Sequence, residues 1–262
     1  MLLDRFRMDG RVAIVTGAGR GIGRGCAVAF AEQGAHVVCA ARTPEQIEET
    51  AALARKAGGR AIAVRCDVNE RAQLEHVVET AKQEYGRIDV LVNNAGGYPP
   101  KPALRTSEKA FEEAFHFNVT TAFLMTRFVL PAMAEGGGGS IVNISSAAGR
   151  FAQPNFAAYG TAKAALSALT RNLAAEFAPK VRVNAIAVGA VLTAALAPFL
   201  NDELKGRMEQ LTPMRRLGEV EDIALMALYL ASPASSWVTG KIFEIDGGLE
   251  GSNWPFPAEG LS

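Results

Sequence analysis

Neither sign of charge prevails in this chain. Its 27 Lys and Arg residues offset 27 Asp and Glu residues, so the formal net charge over 262 residues is zero. Nucleic acids and anionic membranes attract an excess of positive charge, and a balanced chain lacks it. Cysteine is scarce too. Cys26, Cys39 and Cys66 are odd in number and sit in apolar contexts. That excludes a disulfide framework and reads as buried thiols in a reducing compartment. His36, His76 and His116 show no metal-ligand spacing, so no metal is expected. The first ten residues are charged and lack the apolar core of a signal segment. The longest uncharged run of note, residues 185–200, falls short of the roughly 20 residues that a spanning helix needs. It also contains Gly189 and Pro198. These absences predict a soluble, cytoplasmic protein with neither nucleic acid nor membrane as partner.

What is present is apolar substance. Hydrophobic residues make up 49% of the chain, ample for one sizeable core. Residues 11–15 form a short apolar, β-rich run, and Thr16-Gly-Ala-Gly-Arg-Gly-Ile-Gly23 follows at once, then a helical run over 24–33. A strand, a glycine-rich turn and a helix in that order make a phosphate-binding unit. Glycines let the backbone approach a pyrophosphate, and the helix N-terminus offers it free N–H groups. Further strands are predicted at 36–41, 60–65, 87–92, 140–144, 181–188 and 241–245. Helices are predicted at 44–57, 69–85, 107–133, 156–178 and 219–231. Strands about 25 residues apart in the first half imply parallel pairing through right-handed crossovers. The expected fold is α/β: a doubly wound, Rossmann-type, seven-stranded parallel sheet with helices on both faces. It forms a single domain over 1–262, with a cofactor half at about 11–96, a catalytic half at about 97–248 and a tail at 249–262.

The second strand would end near Ala41, where an acidic residue bonds the adenosine ribose and rejects a 2′-phosphate. Arg42 follows instead, and Arg20 lies in the glycine turn. Two guanidinium groups and no carboxylate suit a 2′-phosphate, which predicts NADP(H) over NAD(H); the alternative is that Arg42 simply faces solvent. Further on, Tyr159 and Lys163 stand four apart in Tyr-Gly-Thr-Ala-Lys, on one face of a helix. A free phenol, with a pKa of about 10, is a poor base at neutral pH. A nearby ammonium favours the phenolate, and Ser146, thirteen residues earlier, could hold the oxygen that Tyr159 protonates. Lowering that phenol to about 7 needs roughly 4 kcal/mol, for which Lys163 and an oxidised nicotinamide are the expected sources. Alone, a Tyr and a Lys at this spacing are usually a surface pair.

Thr-Gly-x-x-x-Gly-x-Gly at 16–23, Asn93-Asn94-Ala95-Gly96, and Ser146 with Tyr159 and Lys163 together resemble the short-chain dehydrogenase/reductase family, in its short single-domain branch. The resemblance runs from about residue 7 to 248. It implies an oxidoreductase acting on a CH–OH group, with Asn118, Ser146, Tyr159 and Lys163 as catalytic residues. Asn118, poorly placed inside a helix on propensity, would support a water that links Lys163 to solvent. The family spacing selects Ser146 over Ser145. Gly17, Arg20, Gly21, Ile22, Gly23, Arg42, Asp67, Val68, Asn94, Ala95, Gly96, Tyr159, Lys163, Val191 and Thr193 would contact the cofactor. In this chain Val188-Gly189 replaces the family's usual Pro-Gly, which would loosen the turn there. The resemblance also implies a homo-oligomer, a tetramer, since in the family the long helix before Ser146 and the helix that carries Tyr159 pair between subunits.

Phrases at 94–97, 189–193 and 212–216 are similar to bacterial 7-alpha-hydroxysteroid dehydrogenases and to 3-oxoacyl-carrier-protein reductases. The substrate expected is a small apolar ketone or alcohol, of bulky shape. Tyr98, in a stiff proline-rich loop, either touches it or belongs to plain surface. Residues 194–210 show no firm pattern and read as a mobile apolar lid through Leu196, Phe199, Leu200 and Met208. The alternative from another class is a catalytically silent NADP(H)-binding regulatory protein. Such a protein would not be expected to keep all four catalytic residues.

Overall fold

The computed structural model describes residues 1–194, 196, 197 and 200–255. Among them are β1 (Val12–Thr16), β2 (His36–Ala41), β3 (Arg60–Arg65), β4 (Val90–Asn93), β5 (Gly139–Ser146), β6 (Val181–Val188) and β7 (Ile242–Ile245). All pair in parallel in one sheet of order β3-β2-β1-β4-β5-β6-β7. The helices are α1 (Gly21–Glu32), α2 (Pro44–Lys56), α3 (Arg71–Tyr85), α4 (Glu108–Phe115), α5 (Thr121–Glu135), α6 (Ala157–Phe177), α7 (Asp202–Leu211) and α8 (Val220–Ala231).

Successive strand residues feed two cores. Ala13, Val15, Val37 and Cys39 pack under α1, α2 and α8. Ile14, Val38, Leu91 and Ile141 pack under α3, α5 and α6. Burial on both faces is why these strands read as unbroken apolar runs. The three thiols lie in these cores, and burial pushes them up to about 12 at Cys26, 12 at Cys39 and 11 at Cys66. The chain order reverses between β1 and β4, and the carboxyl ends of the strands part there. Open α/β sheets bind ligands at such a switch point.

Two features depart from the sequence expectation, and a third from a general rule of handedness. The helix predicted over 107–133 is α4 and α5 joined by a π-helical turn, His116–Thr120, with Asn118 at its centre. Its stretch Glu108–Glu135 is long and apolar enough to cross a membrane by length and composition. Here the apolarity goes into the core, where Met125, Val129 and Met133 are buried. Second, α7 occupies part of the stretch read as patternless. Asn201 caps it by accepting from Leu204 N at 2.8 Å, and Asp202 and Glu203 stand in its first turn. Those two features were a legible helix start. Phe199 lies outside the described residues, and so does part of the tail. Third, the step from β6 to β7 runs in the same direction as those from β4 to β5 and β5 to β6. Yet α8 lies on the face opposite α5 and α6, so this one crossover has the reverse hand of the usual rule.

Candidate active site

The carboxyl ends of β1, β4, β5 and β6 open into a cleft of about 900 Å³. Its floor on the β1 side is bare backbone. Gly17 and Gly21 have φ of +65° and +53°, which L side chains rarely adopt. A Cβ on Gly23 would lie 2.3 Å from the Gly17 carbonyl oxygen. The helix α1 begins at Gly21, earlier than the predicted 24, and no side chain caps it at Arg20. Its first N–H groups therefore face the cleft, with Ile22 in the lining. This cradle fits the pyrophosphate of a dinucleotide.

Thr16, which the sequence reading did not single out, ties the cradle to β4. Its hydroxyl donates to Val92 O at 3.2 Å and accepts from Asn94 N at 3.0 Å and Ala95 N at 3.1 Å. Asn94 Nδ2 donates back to Thr16 O at 2.9 Å and Gly17 O at 3.1 Å. The neighbouring Asn93 is buried and donates to Asn143 Oδ1 at 2.9 Å, while Asn143 donates to Thr170 at 2.9 Å, locking β4, β5 and α6 together. Arg20 and Arg42 are exposed at the rim and line the cleft. Asp67 and Val68 line it as well. Asp67 Oδ1 also accepts from Asn69 N and Asn69 Nδ2, each at 3.0 Å, so this residue shapes the turn before α3.

On the far side stand Ser146, Tyr159 and Lys163. The two adjacent serines separate cleanly. Ser145 is buried and bonds Lys163 O and Ser167 Oγ, each at 3.0 Å, holding α6 to β5. Ser146 ends β5, lines the cleft and faces Tyr159. Lys163 is 4% exposed, and its ammonium donates to Ile144 O at 2.8 Å. It lies 5.7 Å from the centroid of the Tyr159 ring. Gly96 makes room for this group: a Cβ there would meet Asn118 Oδ1 at 2.8 Å and Lys163 Nζ at 3.0 Å. Asn118 itself is 1% exposed; its amide accepts from Gly97 N at 2.8 Å and donates to Gly97 O at 3.1 Å and Ala114 O at 2.8 Å. The buried mid-helix Asn thus clamps the loop after β4.

The expected lowering of the Tyr159 phenol is not what the structure shows. Burial raises it, and the facing Ser146 hydroxyl offsets this only in part. Lys163 is also pushed down by burial, to about 7. Burial disfavours the charge on both groups, and an ammonium whose own charge is disfavoured is a weak lever on its neighbour. The resting phenol is a neutral proton donor.

Val191 and Thr193 close the cleft near α1. Gly218 N donates to Ala190 O and Leu192 N to Gly218 O, each at 2.9 Å, in a parallel bridge. The alternation leaves the N–H and C=O of Val191 turned the other way, and Val191 lines the cleft. Thr193 Cγ2 would lie 3.4 Å from a Cβ on Gly21. The turn at Val188-Gly189 is held by Gly189 N donating to Ile245 O at 3.0 Å. A Cβ on Gly189 would lie 2.6 Å from Asp246 Cα, so glycine is required there with or without the preceding proline. Tyr98 lines the cleft. The structure therefore brings the predicted site residues to the lining of one cleft, except Gly23 and Asn118, which are buried behind it.

Residues 17–250 match a family model described as Enoyl-(Acyl carrier protein) reductase. An uncharacterized oxidoreductase of Mycobacterium tuberculosis is 49% identical over 263 residues, covering all of both chains. A 7 alpha-hydroxysteroid dehydrogenase, solved in complex with NADH and 7-oxo glycochenodeoxycholic acid, is 42% identical with a TM-score of 0.91, over 94% of this chain and 96% of the other. A gluconate 5-dehydrogenase from Burkholderia cenocepacia, solved with NADP and tartrate, is 34% identical with a TM-score of 0.89, over 95% of this chain and 98% of the other.

Proposed function

The chain belongs to the short-chain dehydrogenase/reductase family, and from that premise we propose that it is an NADP(H)-dependent oxidoreductase interconverting a ketone and a secondary alcohol. The observation that carries the reading is the convergence of Ser146, Tyr159 and Lys163 on one cleft beside a bare glycine cradle. A nicotinamide dinucleotide, when bound, supplies or accepts the hydride. Gly17, Gly21, Ile22 and Gly23 hold its phosphates, and Asn94, Ala95 and Gly96 line its channel. Asp67 and Val68 meet the adenine, while Val191 and Thr193 meet the nicotinamide end. Arg20 and Arg42 favour the 2′-phosphate, because two exposed guanidinium groups stand at the rim and Ala41 supplies no carboxylate.

Ser146 Oγ holds the carbonyl oxygen of the substrate. Tyr159 Oη gives that oxygen its proton in reduction and takes it back in oxidation. The raised phenol suits the first role, since the acid form is the resting one. Lys163 holds the cofactor ribose and, when charged, steadies the phenolate; Asn118 supports the relay by which the proton is replaced. The substrate is an apolar ketone or alcohol, a reading supported by Phe151, Phe156, Leu196 and Met208 in the lining and by the bile-acid complex of the relative. Self-association, as a tetramer by family resemblance, is supported by the half-exposed Phe111, Phe115 and Phe123 along α4 and α5, an apolar face suited to a second copy; a cytoplasmic location is supported by the buried free thiols of Cys26, Cys39 and Cys66.

The test follows NADPH absorbance with steroid ketones, 3-oxoacyl thioesters and small ketones. Tyr159→Phe should bind NADPH as the parent does and lose nearly all turnover. Retained turnover removes Tyr159 from the chemistry. Tight NADPH binding with no turnover on any class moves the reading to a regulatory dinucleotide-binding protein.

A further inference from the structure

The chain beyond β7 returns to the cleft and is fixed there. Gly247 and Gly248 turn it with φ of +73° and +85°. Arg150, just past the turn that follows Ser146, pairs with Glu244 at 2.7 Å and Asp246 at 3.0 Å and donates to Leu249 O. Met214 N donates to Gly247 O at 3.1 Å. Asn253 Nδ2 donates to Thr212 Oγ1 at 3.0 Å, with both residues buried. So anchored, the segment sets Trp254 edge-on against Phe156, with ring centroids 5.0 Å apart and planes at 87°. Phe156 in turn stands edge-on to Tyr159 at 5.9 Å. Trp254, Phe156 and Tyr159 all line the cleft.

We propose that Trp254, delivered by the chain's own C-terminal segment, is a specificity-determining residue that forms the apolar wall for a fused-ring ketone or alcohol. The kind of reaction rests on the oxidoreductase reading above; the wall itself does not. An indole presents a large rigid apolar face at little cost in conformational entropy, and the edge-on Phe156 fixes its plane. A small ketone held at Tyr159 ends before it reaches a ring two places along the row. A fused-ring ketone extends to it. Selectivity for size is then a property of Trp254.

The experiment compares the parent with Trp254→Ala and Trp254→Phe in the NADPH-dependent reduction of 2-decalone and 2-butanone. The ratio of kcat/KM for 2-decalone over 2-butanone should fall about tenfold or more in Trp254→Ala, mainly through KM, since losing apolar contact in a pocket costs on that order. Trp254→Phe should recover part of it. An unchanged ratio overturns the proposal, including where both rates drop together, because a shared loss marks support of Tyr159 and not recognition of size. A second readout needs no turnover. Trp237 is the other tryptophan and is 98% exposed. In Trp237→Phe the remaining emission comes from Trp254, and 2-decalone should change it saturably; no change overturns the wall. If this emission responds yet neither these ketones nor any class of the wider panel is reduced, the oxidoreductase reading fails and the wall stands. If both are reduced with an unchanged ratio, the converse holds.

Discussion

Replacing Lys163 should stabilise this protein while disabling it. The side chain is 4% exposed, and Ile144 O is the acceptor at its ammonium. Burial moves its pKa from the ordinary 10.5 to about 7. Below about pH 7 the folded chain carries a buried charge that the unfolded chain carries in water. Between there and 10.5 the unfolded state binds the extra proton, so stability from this residue rises with pH and levels off above 10.5. The interval corresponds to about 5 kcal/mol, an upper figure because local relaxation and water entry reduce it. Lys163→Met keeps the length and apolar stem and removes the charge. At about pH 6 the variant should be more stable by roughly 2 kcal/mol or more, and the gap should close toward about pH 10. Urea unfolding midpoints, taken at fixed protein concentration across that range, measure it. A variant less stable at about pH 6, or a gap that does not change with pH, refutes the reasoning. Turnover should fall by about 100-fold or more if Lys163 has the proposed role.

Three further outcomes are expected. Arg42→Asp should lower the preference for NADPH over NADH by about tenfold or more, the scale of a lost charge-assisted contact; equal ratios in dissociation constants for both proteins would leave Arg42 as mere surface. Because the Tyr159 phenol is raised, alcohol oxidation should still be climbing at about pH 10, whereas ketone reduction should be level through the neutral range. A plateau of oxidation by neutral pH contradicts this. Gly96→Ala should fold but lose about 100-fold in kcat, since the new methyl meets Asn118 Oδ1 at 2.8 Å and Lys163 Nζ at 3.0 Å; undiminished turnover would show that the pair can shift without consequence.

Much of the site was legible because it lies in continuous phrases. The glycine turn, Asn93 to Gly96, and Ser146 with Tyr159 and Lys163 each occupy one strand end or one helix face, where spacing along the chain sets spacing in space. Less legible were groups whose partners lie far along the chain. Thr16 acts on β4 across 78 residues at Asn94, and Arg150 acts on Asp246 across 96. Trp254 sat in a tail with no pattern to read, and its contact with Phe156 exists only once β7 and the Gly247-Gly248 turn direct the chain back. The direction of the Tyr159 shift in the protein alone was not legible for a related reason. Helical spacing places Lys163 near it, but the sign depends on how much water reaches both groups, and that is a property of the packed cleft.

The sequence by itself determined the seven apolar runs, the parallel α/β plan and the residues able to do chemistry, because periodicity and turn chemistry are local. Only the tertiary structure decided which face of the sheet receives α8, how the C-terminal segment reaches the cleft, and which way the buried charges shift. Each of those depends on two surfaces meeting, and no single stretch of chain contains both.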